Sequence, residues 1–161
     1  MKRIVCFLLL CAMLAFGGCS ASRGDFFDVF CGGYTAEVTG TLYGMPFSAK
    51  IEMAPQGEEG TPPATVTFYA PSEISGTVLT RAANGTVTLS SEGLTVGDMG
   101  GVGAALFSLF PMGGAVRGTT VDKSSGHTLV LCDGVELAFL PDGTPYSVKT
   151  ADVTATVVKW Q

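Results

Sequence analysis

Catalysis needs a nucleophile, a base or a metal, and this sequence offers few groups for any of them. His127 is the sole imidazole, in Ser124-Ser125-Gly126-His127-Thr128. A serine beside a histidine suggests a nucleophile and its base. A triad also needs a third group to orient the imidazole, and neighbours along one loop do not supply that geometry. Lys123-Ser124-Ser125-Gly126 reads more simply as a turn. Glu58-Glu59 sit in a polar hairpin tip, and neither they nor Asp98 have a His or Cys at metal-ligand spacing. The chain has no CxxC pair and no glycine-rich phosphate loop. The reading is a protein that is not an enzyme, with no catalytic residue, no metal and no cofactor.

The N-terminus carries a different chemistry. Lys2 and Arg3 precede an uncharged apolar run of thirteen residues, 4–16. A spanning helix needs about 20 such residues, so the run fits the apolar region of an export signal. It ends in Ala15-Phe16-Gly17-Gly18-Cys19-Ser20, small residues directly before a cysteine. This resembles the lipobox of bacterial lipoproteins, with Phe16 where the family usually has Leu. The resemblance implies cleavage after Gly18, a diacylglyceryl group on the Cys19 thiol, and anchoring at the extracytoplasmic face of the bacterial cell membrane. Two acyl chains, each contributing about 0.8 kcal/mol per buried CH₂, make release slow. An ordinary secretory signal and an uncleaved apolar anchor are the alternatives.

Three segments follow: residues 1–18 as signal peptide, 19–33 as lipidated tether with a short helix, and 34–161 as an antiparallel β-domain. Loss of Lys2 and Arg3 leaves seven basic side chains against fourteen acidic ones, a net charge of −7. Such a domain is repelled by anionic bilayers and by nucleic-acid phosphates, so the lipid must hold it and no nucleic-acid partner is expected. Cys6 and Cys11 leave with the signal and Cys19 is committed to the lipid, so only Cys31 and Cys132 remain in the folded part of the chain. A disulfide between them would close a loop of about 100 residues, worth about 4–5 kcal/mol in the chain-entropy model. Two separately buried thiols are the other reading.

The rest of the chain reads as strands. Residues 25–30 form an apolar helical turn ended by Gly32-Gly33. Ala36, Val38 and Leu42, then Phe47, Ala49, Ile51 and Met53, then Ala64, Val66, Phe68 and Ala70, alternate with polar residues. Gly44-Met45-Pro46 is expected to make the first turn. Asn84-Gly85, Asp133-Gly134 and Asp142-Gly143 predict tight hairpins with both central residues at positive φ. They would pair residues 78–81 with 86–90, and 128–132 with 135–140, and lead on to 146–149. Residues 151–160 read as a closing strand. Residues 100–112 break the pattern, with Val102, Leu106, Leu109 and Phe110 at helical spacing and Pro111 as terminator. The expected fold is mainly β (α+β): one curved antiparallel sheet or half-open β-barrel of about ten strands, with one or two short helices on the concave face.

The run Phe68-Tyr69-Ala70-Pro71-Ser72-Glu73-Ile74-Ser75-Gly76, then Asn84-Gly85 and a strand, then Asp133-Gly134-Val135-Glu136-Leu137, is similar to LolA-like lipoprotein-sorting and lipoprotein-carrier proteins. Some exported lipoproteins of spore-forming bacteria share this outline. The resemblance implies a sheet wrapped around a helix, with an acyl chain or lipid on the concave face. The family's ligand-contacting arginine has no counterpart here, and Arg81 and Arg117 read as exposed strand-end residues. Candidate lining residues are Phe47, Ile51, Phe68, Leu79, Leu106, Phe107, Phe110 and Leu137, for each of which plain core is the alternative. The helix at 100–112 would be either part of that core or a lid hinged at Gly97, Gly100, Gly101, Gly103, Gly113 and Gly114. Two functions remain open. One is a membrane-anchored module that binds a hydrophobic ligand. The other is a structural or protein-interaction component of the cell envelope, for example in sporulation or germination, with a filled core and a protein partner.

Overall fold

The computed structural model of the protein describes residues 28–55, 57, 60–97, 99–110, 121–122, 126–132 and 134–161. Residues 1–18, read from sequence as an export signal, and Cys19 lie outside the described residues. In chain order the elements are α1 (Asp28–Cys31), β1 (Tyr34–Leu42), β2 (Met45–Met53), β3 (Ala64–Ala70), a 3₁₀ turn (Ser72–Ile74), β4 (Val78–Arg81), β5 (Val87–Ser91) and β6 (Leu94–Gly97). Then come α2 (Gly100–Phe107), β7 (Val121–Asp122), β8 (Thr128–Cys132), β9 (Val135–Phe139), β10 (Pro145–Lys149) and β11 (Val153–Trp160).

The eleven strands form one antiparallel sheet in the order β6-β5-β4-β3-β2-β1-β11-β10-β9-β8-β7. The chain meanders outward from β1 to β6, and after α2 it meanders back from β7 to β11, which pairs with β1. The sheet is open, with β6 and β7 as its two edges. The mainly β fold expected from the alternation is the fold found.

Register explains why one face is apolar. Ile51 lies opposite Val66, Val66 opposite Leu79, and Leu79 opposite Leu89. On the other half, Val130 faces Leu137, Leu137 faces Val148, and Val148 faces Ala155. Period-two alternation thus carries every inward residue onto one side. The outer face carries exposed Thr39, Thr41, Glu52, Thr80, Thr154 and Thr156. Where the two meanders meet, Gly40 lies opposite Ala155. A Cβ there would run into the Thr154 carbonyl oxygen and come within 2.7 Å of Ala155 Cα, so the joint admits only glycine.

The turns differ from expectation. The first is Tyr43-Gly44, with φ of 50° and 79°, and Met45 already pairs with Leu42. A second two-residue turn, Glu92-Gly93 with φ of 47° and 88°, makes the β5–β6 hairpin that the alternation did not announce. Around Asn84-Gly85 and Asp142-Gly143 only the glycines reach positive φ. Asn84 and Asp142 instead accept the N–H of the residue two positions on, Thr86 at 3.0 Å and Thr144 at 2.9 Å. These Asx turns make wider loops than a tight hairpin needs.

Helix α2 stops earlier than Pro111 would impose. Ser108 closes its last turn at φ −91° and ψ 0°, its N–H bonded to the Ala104 carbonyl at 3.0 Å. That kink lets consecutive Leu109 and Phe110 both enter the core. Gly103 is no hinge: a Cβ there would meet Val87 Cγ1 at 2.7 Å, so the glycine lets α2 rest directly on β5. Ala105, Leu106 and Phe107 join the same core cluster, and α2 is packed as core. Gly113 and Gly114 lie outside the described residues, as does the side chain of Val102.

Candidate functional site

The core face is filled unevenly along the strands. At the Tyr34 end, Phe30, Tyr34, Phe110, Phe139 and Trp160 form an aromatic cluster. Tyr34 stacks on Trp160 at 4.7 Å between ring centroids, Phe30 on Phe110 at 5.6 Å, and Phe110 meets Trp160 edge-on at 5.5 Å. Such pairs add about 0.5–1.5 kcal/mol beyond their buried area. This end is closed.

The other end is not. A cavity of about 470 Å³ opens between the β1–β2 turn, β3, the 3₁₀ turn and β5. Leu42, Phe47, Phe68, Leu89 and Met99 line its interior, with Tyr43, Met45 and Ile74 at the rim. Those three rim residues are 52%, 65% and 36% exposed, an unusual state for large apolar side chains grouped together. The few polar groups at the cavity are engaged or peripheral. The Thr77 hydroxyl donates to Ser91 Oγ at 3.2 Å, and Glu73, which accepts from Ser72 Oγ at 3.3 Å, is the one charged residue among the described lining residues. The arrangement can bury an apolar chain.

Of the residues proposed from sequence, Phe47 and Phe68 line this cavity. Ile51, Leu79, Leu106, Phe107, Phe110 and Leu137 belong to the buried core. Tyr43, Met45, Ile74 and Met99 were not read from sequence as lining residues because they lie at turns or just outside a regular element, whereas Leu89 sits mid-strand in β5, opposite Leu79.

Arg81 corrects another expectation, because it is buried at 9% exposure instead of standing at an exposed strand end. Its Nε and Nη2 donate to the Pro62 carbonyl at 3.2 and 3.0 Å, and Nη2 lies 3.2 Å from Met53 Sδ. Its guanidinium sits 4.8 Å above the Phe107 ring. Burial pulls its pKa below the ordinary arginine value, with the neighbouring Tyr34 opposing that shift. Arg81 borders an open depression of about 540 Å³ at the Tyr34 end, shared with Gly33, Met53, Pro63 and Gln161. The depression is the more open of the two and has polar groups in its walls around Arg81, whereas the described lining of the other cavity is mostly apolar side chains. Arg117 lies outside the described residues.

His127 stacks on Tyr146 at 4.6 Å, and its sequence neighbours Ser124 and Ser125 lie outside the described residues. Among the described residues no three His, Cys, Asp or Glu side chains gather to hold a metal ion. Cys31 is half-buried and Cys132 buried, both as thiols. Cys132 lies opposite Val135, one position beyond the row that runs from Leu131 through Glu136, Lys149 and Thr154 to Thr41, and so on the Leu42 side of the sheet. Cys31 precedes Tyr34, at the other end of β1. No described helix is long and apolar enough to cross a membrane.

No known protein family and no curated protein sequence matches the chain. Among solved structures it is similar to an uncharacterized conserved protein from Thermus thermophilus, at 15% identity and a TM-score of 0.50, over 85% of this chain and 83% of that one. At that identity the likeness is one of fold alone.

Proposed function

We propose that the protein is a lipid-anchored, exported lipoprotein whose β-domain is a non-catalytic binding module for a hydrophobic chain, of the lipoprotein-carrier type. The observation that carries this reading is the apolar cavity of about 470 Å³ with Tyr43, Met45 and Ile74 exposed at its mouth. Its volume lies within the range of about 300–1,000 Å³ typical of small-ligand pockets. Each apolar Å² that a ligand covers contributes about 25 cal/mol. The anchor would be the diacylglyceryl group on Cys19 at the extracytoplasmic face of the membrane.

The test is uptake of N-phenyl-1-naphthylamine, an uncharged probe that fluoresces in apolar surroundings. Saturable uptake is expected, and Met45→Gln with Ile74→Gln, both at the surface, should weaken it about fivefold. Absence of saturable uptake would sink the binding reading. Cys19→Ala should move the protein from the membrane fraction to the soluble one; persistence in the membrane would refute the lipid anchor.

A second reading, docking of an envelope protein, draws on edge strand β6, where Leu94 and Val96 are 68% and 43% exposed. A partner strand would add to that open edge by main-chain hydrogen bonds. Cross-linking in cells from a photoreactive residue at Thr95 distinguishes it, since a ligand module without a partner gives no adduct there.

A further inference from the structure

We infer that the apolar cavity selects chains bearing a cationic head group and discriminates against carboxylate- or phosphate-headed ones; this rests on the proposed binding function. A chain buried in the cavity leaves its head at the rim, where Glu73 is the one charged residue among the described lining residues. The acids nearest in the fold have the same sign. Glu92 follows Ser91, whose hydroxyl accepts from Thr77 at the cavity wall. Asp152 accepts the Tyr43 N–H on its main-chain carbonyl, which brings its exposed residue beside the rim.

No described cation balances them. Lys50 pairs with Glu52 at 2.7 Å on the outer face, and Lys159 with Glu37 at 3.8 Å. Lys149 is exposed, next to inward-facing Val148 and therefore on the outer side. Arg81 lies beyond Leu79 on the Tyr34 side, its guanidinium on the Pro62 carbonyl. An anionic head would thus meet Glu73 with no described cation to pair with, and a cationic head would pair with it. An exposed pair of this kind changes affinity by up to about fivefold, and reversing the sign roughly doubles that effect on a logarithmic scale.

The experiment is displacement of N-phenyl-1-naphthylamine from the full Cys19→Ala chain by three twelve-carbon amphiphiles below their micelle concentrations. The expected order at low salt is dodecyltrimethylammonium, then dodecyl maltoside, then dodecanoate, with about fivefold per step. Added salt should compress the series, because screening at molar ionic strength acts within about 3 Å. Glu73→Gln, at an exposed position, should compress it as well. Dodecanoate displacing the probe as well as the cation overturns the charge selection and leaves the binding function standing. No probe uptake and no displacement by any of the three overturns the binding function itself.

Discussion

Tyr43 holds a backbone conformation that costs a side-chain-bearing residue free energy, at φ 50° in a two-residue turn. Its ring stands half exposed over the cavity mouth. Strain kept at a binding rim is a trade of stability for position. Tyr43→Asn should therefore raise stability by about 0.5–1 kcal/mol in urea denaturation while weakening uptake of an uncharged apolar probe. A loss of stability would show that the ring contributes packing instead. Tyr34 behaves differently. Burial holds its phenol well above the ordinary tyrosine range, with the Arg81 guanidinium drawing it weakly down. The unfolded chain then releases this proton near pH 10 while the folded one keeps it. Stability is complete below that pH and declines as pH rises above it towards the folded value. Tyr34→Phe should flatten that alkaline decline in denaturation curves taken from pH 9 to 12, and an unchanged slope would place the titration elsewhere.

Among the elements, the long alternating strands were legible in sequence because a half-buried strand must alternate. The register of β1, β2 and β3 follows directly from residues 36–70. The hairpin β5–β6 was not, since Glu92-Gly93 lacks the Asn or Asp that marks such turns, β5 is half-buried throughout and β6 exposes all its residues. Helix α2 was legible as an apolar segment, but its role was not. Flanking glycines suggested hinges, whereas the fit of Gly103 against Val87 requires a missing side chain at one point only. The cavity was half legible: Phe47 and Phe68 follow from alternation, while the rim is built by turn residues whose meeting depends on the whole sheet. The Gly103 contact is open to test. Alanine favours helix by up to about 1 kcal/mol over glycine, yet overpacking against a stiff valine costs about 1–3 kcal/mol. Gly103→Ala should destabilise the protein, and Val87→Ala should reverse the sign of that change in the double variant. A stabilising single substitution would mean that α2 lifts away from β5 at no cost.

At the scale of the whole molecule, the two meanders are joined through β1 and β11, and the closed and open ends of the core face lie along that joint. The register that separates the ends also separates the cysteines. Alkylation of the unreduced, denatured chain followed by peptide mass spectrometry should find both Cys31 and Cys132 modified; an unmodified linked pair of peptides would contradict the placement. The joint has one more property. Trp160 is the chain's sole tryptophan, and its indole stacks on Tyr34 across β1 and β11, at the end away from the cavity. From Trp160 back to Val153, beside Leu42 at the mouth, β11 runs about 23 Å at 3.3 Å per residue. The protein therefore carries one indole, which can be excited selectively at wavelengths tyrosine does not absorb, placed where its two halves meet and away from the cavity. Its emission should shift to the red when the halves part and stay still when a non-aromatic alkyl chain fills the far end. Movement on filling would reveal that the aromatic end and the open end are mechanically coupled through the strands.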